Sequence, residues 1–408
     1  MAQIGWIDFS PTHRQRVGSV LDLLKPEGMV DELGLGTIRD ALANQLFPGI
    51  STIQTRAKYF FVIPYILYDY QILKPAQRRG KTPSQYLEHR EYEIMWQLAE
   101  QYNYQDGKGV IGISKRKPHK IVRRPSAIYW NGLYTYHFIQ THGLSAEAFL
   151  RHSASPSMES LLSSTTRGDD STGDDTDAEH ENMFRIKLPP KRNWDDNLSL
   201  ELERDEAEFF YDRIVSIAEN RIIAELLIND ELWQIFIKVE NFMHFAKVAV
   251  QLPIAGHLKT MLILAHDFSE LMYGAHITYN CLLQSTAFNN DRYEEEWEKW
   301  LQDLPQNMLD YSGFNPDHLF QHVLTTKSYT TQFVRDWWIL VIQHKVDAGK
   351  RDSFIKQQEA KVKGNKARIR WNKLDDVEEE QWIGLRYLDY RFRNVKTILN
   401  DIRTGLII

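Results

Sequence analysis

Residues 253 to 285 read PIAGHLKTMLILAHDFSELMYGAHITYNCLLQS, a run with helical periodicity and two unlike faces. At about 100° per residue, Leu264, Phe268, Leu271, Ala275 and Leu282 form one stripe, while His266, Ser269, Tyr273, His276 and Asn280 form another. A face turned to solvent would carry Lys and Glu. This one carries two imidazoles, a phenol, a hydroxyl and a carboxamide, with Tyr279 next to Asn280. Such groups make directional hydrogen bonds and are costly to bury without partners. Two readings stand: a buried network that ties helices together, or the wall of a pocket for a polar ligand such as a nucleobase or sugar.

Carboxylates that could stabilise an oxocarbenium-like transition state or activate water, as glycosidic cleavage requires, are Asp40, Asp267 and Asp401. Asp40 shares capping-box spacing with Thr37, so it either caps its own helix or faces a cleft. Arg56, Lys58 and Tyr59 could hold a phosphate or stack on a base, although an arginine stem packed on a core is the commoner arrangement. Trp130 is a further stacking candidate. The clearest nucleic-acid signal is SKRKPHKIVRRPSAIYWNGLYTYHF at 114 to 138. It joins Lys115, Arg116, Lys117, Lys120, Arg123 and Arg124 to Tyr129, Trp130, Tyr134 and Tyr136. Cations give sequence-independent phosphate contacts and ring faces stack on exposed bases, but a basic surface loop followed by an aromatic core helix has the same pattern. A second basic segment, residues 350 to 373, contributes Lys366, Arg368 and Arg370, for which a solvated helix face is the alternative.

Other chemistry is excluded by what the motifs lack. The imidazoles His257, His266 and His276 are nine and ten residues apart, and no HExxH or Glu-x-x-His pair exists, so no metal site is expected. There is no Walker loop, dinucleotide fingerprint or nucleophile elbow, and hence no expected cofactor. With one cysteine, Cys281, internal disulfides and thiolate clusters are excluded, which fits a reducing cytoplasm. The first residues lack the pattern of a signal peptide, and no run of apolar residues is long enough to span a bilayer. Net charge is −6 over 408 residues. Asp169, Asp170, Asp174, Asp175, Asp177, Glu179 and Glu181 crowd one Ser/Thr/Gly-rich stretch, so the remainder is near neutral with local basic concentrations.

The elements that must position these groups are helical. The expected fold is a mainly α, multi-helix globular protein, with helices near 11–24, 37–46, 52–73, 83–102, 126–142, 199–228, 254–285, 330–348 and 384–404. Ser51 with Gln54, and Thr82 with Gln85 after Pro83, match capping boxes. Residues 105 to 122 are rich in glycine and alternate β-branched positions, which predicts a short hairpin or irregular loop. Residues 153 to 182 have the composition of a disordered acidic linker or insertion, separating an N-terminal part (1–152) from a C-terminal part (183–408). That acidic stretch also complements a basic groove and could compete with nucleic acid there.

WIDFS at 6 to 10, the IRD and FPGIS-to-TRAKYF block at 38 to 60, RRPSAIYWNGL at 123 to 133, ELMYGAHITYN at 270 to 280 and YRFRNVKTILNDI at 390 to 402 resemble an uncharacterised bacterial family of unknown function. The resemblance spans the chain outside the acidic stretch. It implies a gene carried in phage-defence islands, and therefore a protein acting on phage DNA in the bacterial cytoplasm, alone or with partner proteins of a defence system. The chain is similar in kind to an anti-phage DNA glycosylase that removes glucosylated hydroxymethylcytosine. On that likeness a base would be flipped out and its N-glycosidic bond cut without metal; the likeness maps no catalytic residue, so Asp40, Asp267 and Asp401 stand as the carboxylates that the sequence itself offers. A non-catalytic DNA-recognition or scaffold subunit is the alternative.

Overall fold

A computed structural model describes residues 31–153, 183–289, 291–323, 328–342, 348–372, 377–379, 381–384 and 386–407. The expected helix at 11–24 and the acidic stretch 154–182 lie outside them. Among the described residues the regular structure is helical: α1 Gly36–Leu46, α2 Tyr59–Ile72, α3 Pro83–Gln101, α4 Pro125–Thr135, α5 Ala146–Ser153, α6 Arg204–Ile217, α7 Ile222–Ile228, α8 Asp230–Lys238, α9 Phe242–Ala249, α10 Gly256–Phe288, α11 Arg292–Asn307, α12 Pro316–His322, α13 Ser328–Ile342, α14 Ala348–Lys363, α15 Arg368–Trp371 and α16 Phe392–Ile407. The β-pairing recorded among them is an isolated bridge between Ile139 and Ile186. Residues 105–122 form successive turns, such as Lys115 N–H to Gly112 O at 2.8 Å and His119 N–H to Arg116 O at 2.8 Å.

The chain forms two compact units, each drawing on both sides of the acidic stretch: residues 1–45 with 242–390, and residues 46–241 with 391–408. The first unit is built around α10, a helix of 33 residues and about 50 Å. Every residue from Leu264 to Gln284 on it is buried. Helices α9, α11, α14 and α15 pack against it. On α11 the apolar spacing is plain, with Tyr293, Trp297, Trp300 and Leu304 buried. A Cβ at Gly274 would lie 2.2 Å from the Trp300 ring, so glycine is what lets α10 and α11 approach at that level.

The second unit centres on α2, YFFVIPYILYDYQI, which is apolar around most of its circumference and buried from Tyr59 to Leu67. Its Phe60 meets Phe210 of α6 at 4.6 Å and Tyr129 of α4 at 5.0 Å between centroids. Phe138 joins the same cluster at 5.1 Å from Phe210. These rings are core, with edge-on and tilted contacts adding to plain area burial. One buried ion pair sits beside it: Lys58 Nζ lies 2.7 Å from Glu206, which also accepts from the Tyr65 hydroxyl at 3.3 Å.

Candidate nucleic-acid interface

Helix α3 begins with a complete capping box. Thr82 accepts from the Gln85 amide, and the Gln85 side chain accepts from the Thr82 amide. This fixed start sets the face on which Tyr92 and Trp96, one turn apart, stack at 5.7 Å and 28° between planes. The turns at 105–122 lie against that helix. Gly112 has φ +75°, and a Cβ there would lie 2.6 Å from Met95 Sδ. Glycine supplies both the left-handed backbone and the close approach.

Lys115, Arg116, Lys117 and Lys120 are exposed along this loop. The Arg116 guanidinium sits 4.8 Å from the Tyr104 ring centre, Lys117 Nζ 5.2 Å from Trp96, and Lys120 Nζ 5.4 Å from Tyr92. Cation–π contacts hold a charge in place without neutralising it. Lys120 also pairs with Glu88 at 2.9 Å, and Arg124 with Glu91 at 3.1 Å. For Lys115, Arg116, Lys117 and Arg123 no acidic partner is found among the described residues. Residues 107–146 hold seven Lys and Arg and no Asp or Glu. The loop is thus a cationic ridge seated on aromatic rings, its charge accessible and its position fixed.

Glu91 anchors the end of this ridge. Its carboxylate accepts the Ser126 amide, in the first turn of α4, at 2.5 Å, besides pairing with Arg124. Burial pushes its pKa up to about 7, although the Ser126 amide and the Arg124 charge pull the other way. Tyr92, Trp96, Tyr104 and Glu91 were not among the residues expected to matter. The spacing of Tyr92 and Trp96, one helical turn apart just before a basic segment, was the available signal.

The other candidates in this unit serve the core. Tyr59 is buried and its hydroxyl accepts the Ile111 amide at 2.9 Å. The Trp130 indole donates to Leu144 O at 2.8 Å and packs on Phe149. Arg56 Nε reaches both oxygens of Asp401, at 3.1 and 2.9 Å, and Asp401 further accepts the Ala57 amide at 2.9 Å. Burial raises the Asp401 pKa and Arg56 opposes that rise. This pair ties α16 to the entry of α2.

In the first unit the polar stripe of α10 forms a ladder with the segment from 378 to 390. Gln284 donates to the carbonyls of Glu378 and Gln381, at 3.1 and 3.2 Å. Asn280 receives the Ile383 amide at 2.8 Å and returns a bond to its carbonyl at 3.1 Å. The Tyr273 hydroxyl donates to Glu296 and accepts from Arg386. Ser269 accepts the Leu388 amide at 2.9 Å, and Tyr390 donates to Ala265 O at 2.7 Å. Tyr279 donates to the buried Glu359 at 3.3 Å. His276 is buried, which lowers its pKa to about 4 against the pull of Asp31, so it is neutral at pH 7.

Asp267 is fully buried. It accepts the amides of Leu309 and Asp310 at 2.7 and 2.8 Å and lies 2.8 Å from His266 Nδ1. It therefore fixes the loop after α11, which forms one wall of a shallow pocket of about 290 Å³ lined by Thr260, Leu264, Asp310, Phe314, His318 and His322 among others. Asp40 is half-exposed and lies 3.0 Å from Arg39. The start of α1 is capped instead by Asp31, which accepts the Leu35 and Gly36 amides at 2.7 and 2.8 Å. Lys366 and Arg370 are exposed, while Arg368 pairs with the buried Glu32 at 3.7 Å. Asp40 and Asp267 thus belong to one compact unit and Asp401 to the other.

Residues 1–402 match the model of a family of unknown function, DUF6361. The chain belongs to that family. No curated protein and no solved structure matches it. The family match takes in both the cationic ridge and the α10 ladder. No helix among the described residues is long and apolar enough to cross a membrane, and no group of His, Cys, Asp or Glu among them is arranged to hold a metal ion.

Proposed function

We propose that this protein recognises nucleic acid through the cationic ridge of Lys115, Arg116, Lys117 and Arg123. The observation that carries the reading is that these cations are unneutralised and that Tyr104 and Trp96 hold two of them in fixed positions. Phosphates along a strand are matched by such a row, and preorganisation lowers the ordering cost of binding. The resemblance to a family carried in phage-defence islands supports phage DNA as the ligand and, with it, a role in a defence system of the bacterial cytoplasm. The test is fluorescence anisotropy with duplex and single-stranded oligonucleotides, against a Lys115→Ala/Arg116→Ala/Lys117→Ala variant. Tight, salt-sensitive binding that the variant loses supports the reading. Binding that the variant retains, or preference for an acidic protein over any oligonucleotide, overturns it.

Recognition is favoured over base excision by the hydrogen bonding of the carboxylates. Asp267 and Asp401 are buried and committed to backbone amides and to their side-chain partners, which leaves Asp40 as the accessible candidate among the three. The excision reading, removal of a glucosylated hydroxymethylcytosine without metal, is therefore tested on Asp40. Phage DNA carrying the modified base is incubated with the protein and abasic sites are assayed by alkaline cleavage. Product that Asp40→Asn abolishes while binding persists would make this protein a glycosylase; absence of product leaves the recognition role.

A further inference from the structure

Resting on that reading, we infer that the first unit carries a second and different nucleic-acid contact, a stacking platform for an unpaired base centred on Trp371. The residue is 50% exposed, although tryptophan is the largest apolar surface a chain can offer to water. It is not loose. The indole Nε1 donates to Gly364 O at 3.0 Å, closing the turn that runs from the end of α14 through α15. Two buried carboxylates hold that turn from beneath. Glu359 accepts the Arg368 amide at 2.7 Å and the Ile369 amide at 3.2 Å, and Glu32 pairs with Lys363 at 3.1 Å and Arg368 at 3.7 Å. The indole edge is thus fixed and its polar atom satisfied internally, so what remains for a ligand is the π-surface that Arg370, over the ring at 5.0 Å, leaves uncovered.

The surroundings set the ligand's charge. Residues 360–373 contain six Lys and Arg and no Asp or Glu. The Arg370 guanidinium lies 5.0 Å from the Trp371 ring centre, and Lys361 and Lys366 are exposed. A fixed aromatic face amid cations matches a base joined to its phosphates: the ring stacks and the cations take the backbone. A lipid surface fits less well. Among the described residues, the exposed ones nearest Trp371 in the chain or at its hydrogen bond are Gly364, Asn365 and Asn372, not a cluster of apolar side chains that would enter a bilayer. A paired base offers no open face, so the contact selects single strands, bulges or bases turned out of a duplex.

The test uses the full chain and three labelled oligonucleotides: a perfect duplex, the same duplex with one extrahelical base, and a single strand. Trp371→Leu keeps an apolar side chain without the π-face, and Trp371→Phe keeps a smaller one; both are first checked by thermal melting. Expected is a loss of about 5-fold or more for Trp371→Leu on the bulged and single-stranded ligands, little change on the perfect duplex, and substantial retention by Trp371→Phe. Equal affinity of Trp371→Leu and the native protein on all three ligands overturns the platform, as does a loss seen equally on the perfect duplex. If anionic vesicles bind and lose affinity with Trp371→Leu while oligonucleotides do not, the surface belongs to a membrane contact and the inference fails. Failure of the platform alone leaves the ridge variant still defective; failure of the ridge reading leaves the ridge variant at native affinity.

Discussion

The proposed DNA interface implies a definite salt dependence of binding. Lys115, Arg116, Lys117 and Arg123 have no acidic partner among the described residues, whereas Lys120 and Arg124 are paired with Glu88 and Glu91. Four phosphate contacts would release their counterions with a slope of log affinity on log salt of about −3.6 for duplex and about −2.8 for a single strand. Raising salt from about 50 to about 200 mM should then weaken duplex binding by about 100-fold. Replacing Lys115, Arg116 and Lys117 by Ala removes three contacts, so the remaining slope should be about −0.9. The three side chains are exposed, so the melting temperature should not move with them. The assay is anisotropy at four or five salt concentrations on both proteins. A native slope near zero would refute an electrostatic interface, and an unchanged slope in the triple variant would place the contacts elsewhere.

Three further outcomes follow from the hydrogen bonding and backbone. Asn280→Ala strips both bonds from the Ile383 backbone and should lower stability by about 2 kcal/mol or more, measured by denaturant unfolding; unchanged stability with weakened ligand binding would instead make Asn280 a ligand contact. The Glu91 pKa lies near 7 in the folded chain against 4.5 ordinarily, so the folded state holds that proton more tightly. Its contribution to stability is therefore fully present below about pH 4.5 and lost as pH rises through 7, about 3 kcal/mol in all. Melting curves of Glu91→Gln should lack this decline between pH 5 and 8, and profiles parallel to those of the native protein would contradict the assignment. Gly112→Ala places a Cβ at φ +75° against Met95, so both melting temperature and DNA affinity should fall, by about 1 to 3 kcal/mol in stability; a neutral variant would show that the ridge does not depend on this seat.

The sequence by itself determined what is local. The α3 start was legible because Thr82 and Gln85 satisfy each other's amides three residues apart, and α10 because its apolar stripe recurs at the helical period. The cationic loop was legible as a run of like charge, since no fold is needed to count it. Around Asp40, local spacing was not enough: Asp31 caps α1, because a carboxylate four and five residues ahead reaches the free amides directly.

Only the tertiary structure decided which polar groups remain available. The α10 stripe could equally have lined a pocket; it is held by residues 378–390, about a hundred positions away in the chain. Asp401 meets Arg56 across 345 positions, and Asp267 meets Asp310 across 43. Tyr59, Tyr129 and Trp130, each suited by type to stack on a base, lie in the core because α2, α4 and α5 pack together around them. A side chain's chemistry is written in its type. Whether that chemistry faces a ligand depends on which distant backbone amides and rings reach it first, and burial makes satisfying them obligatory.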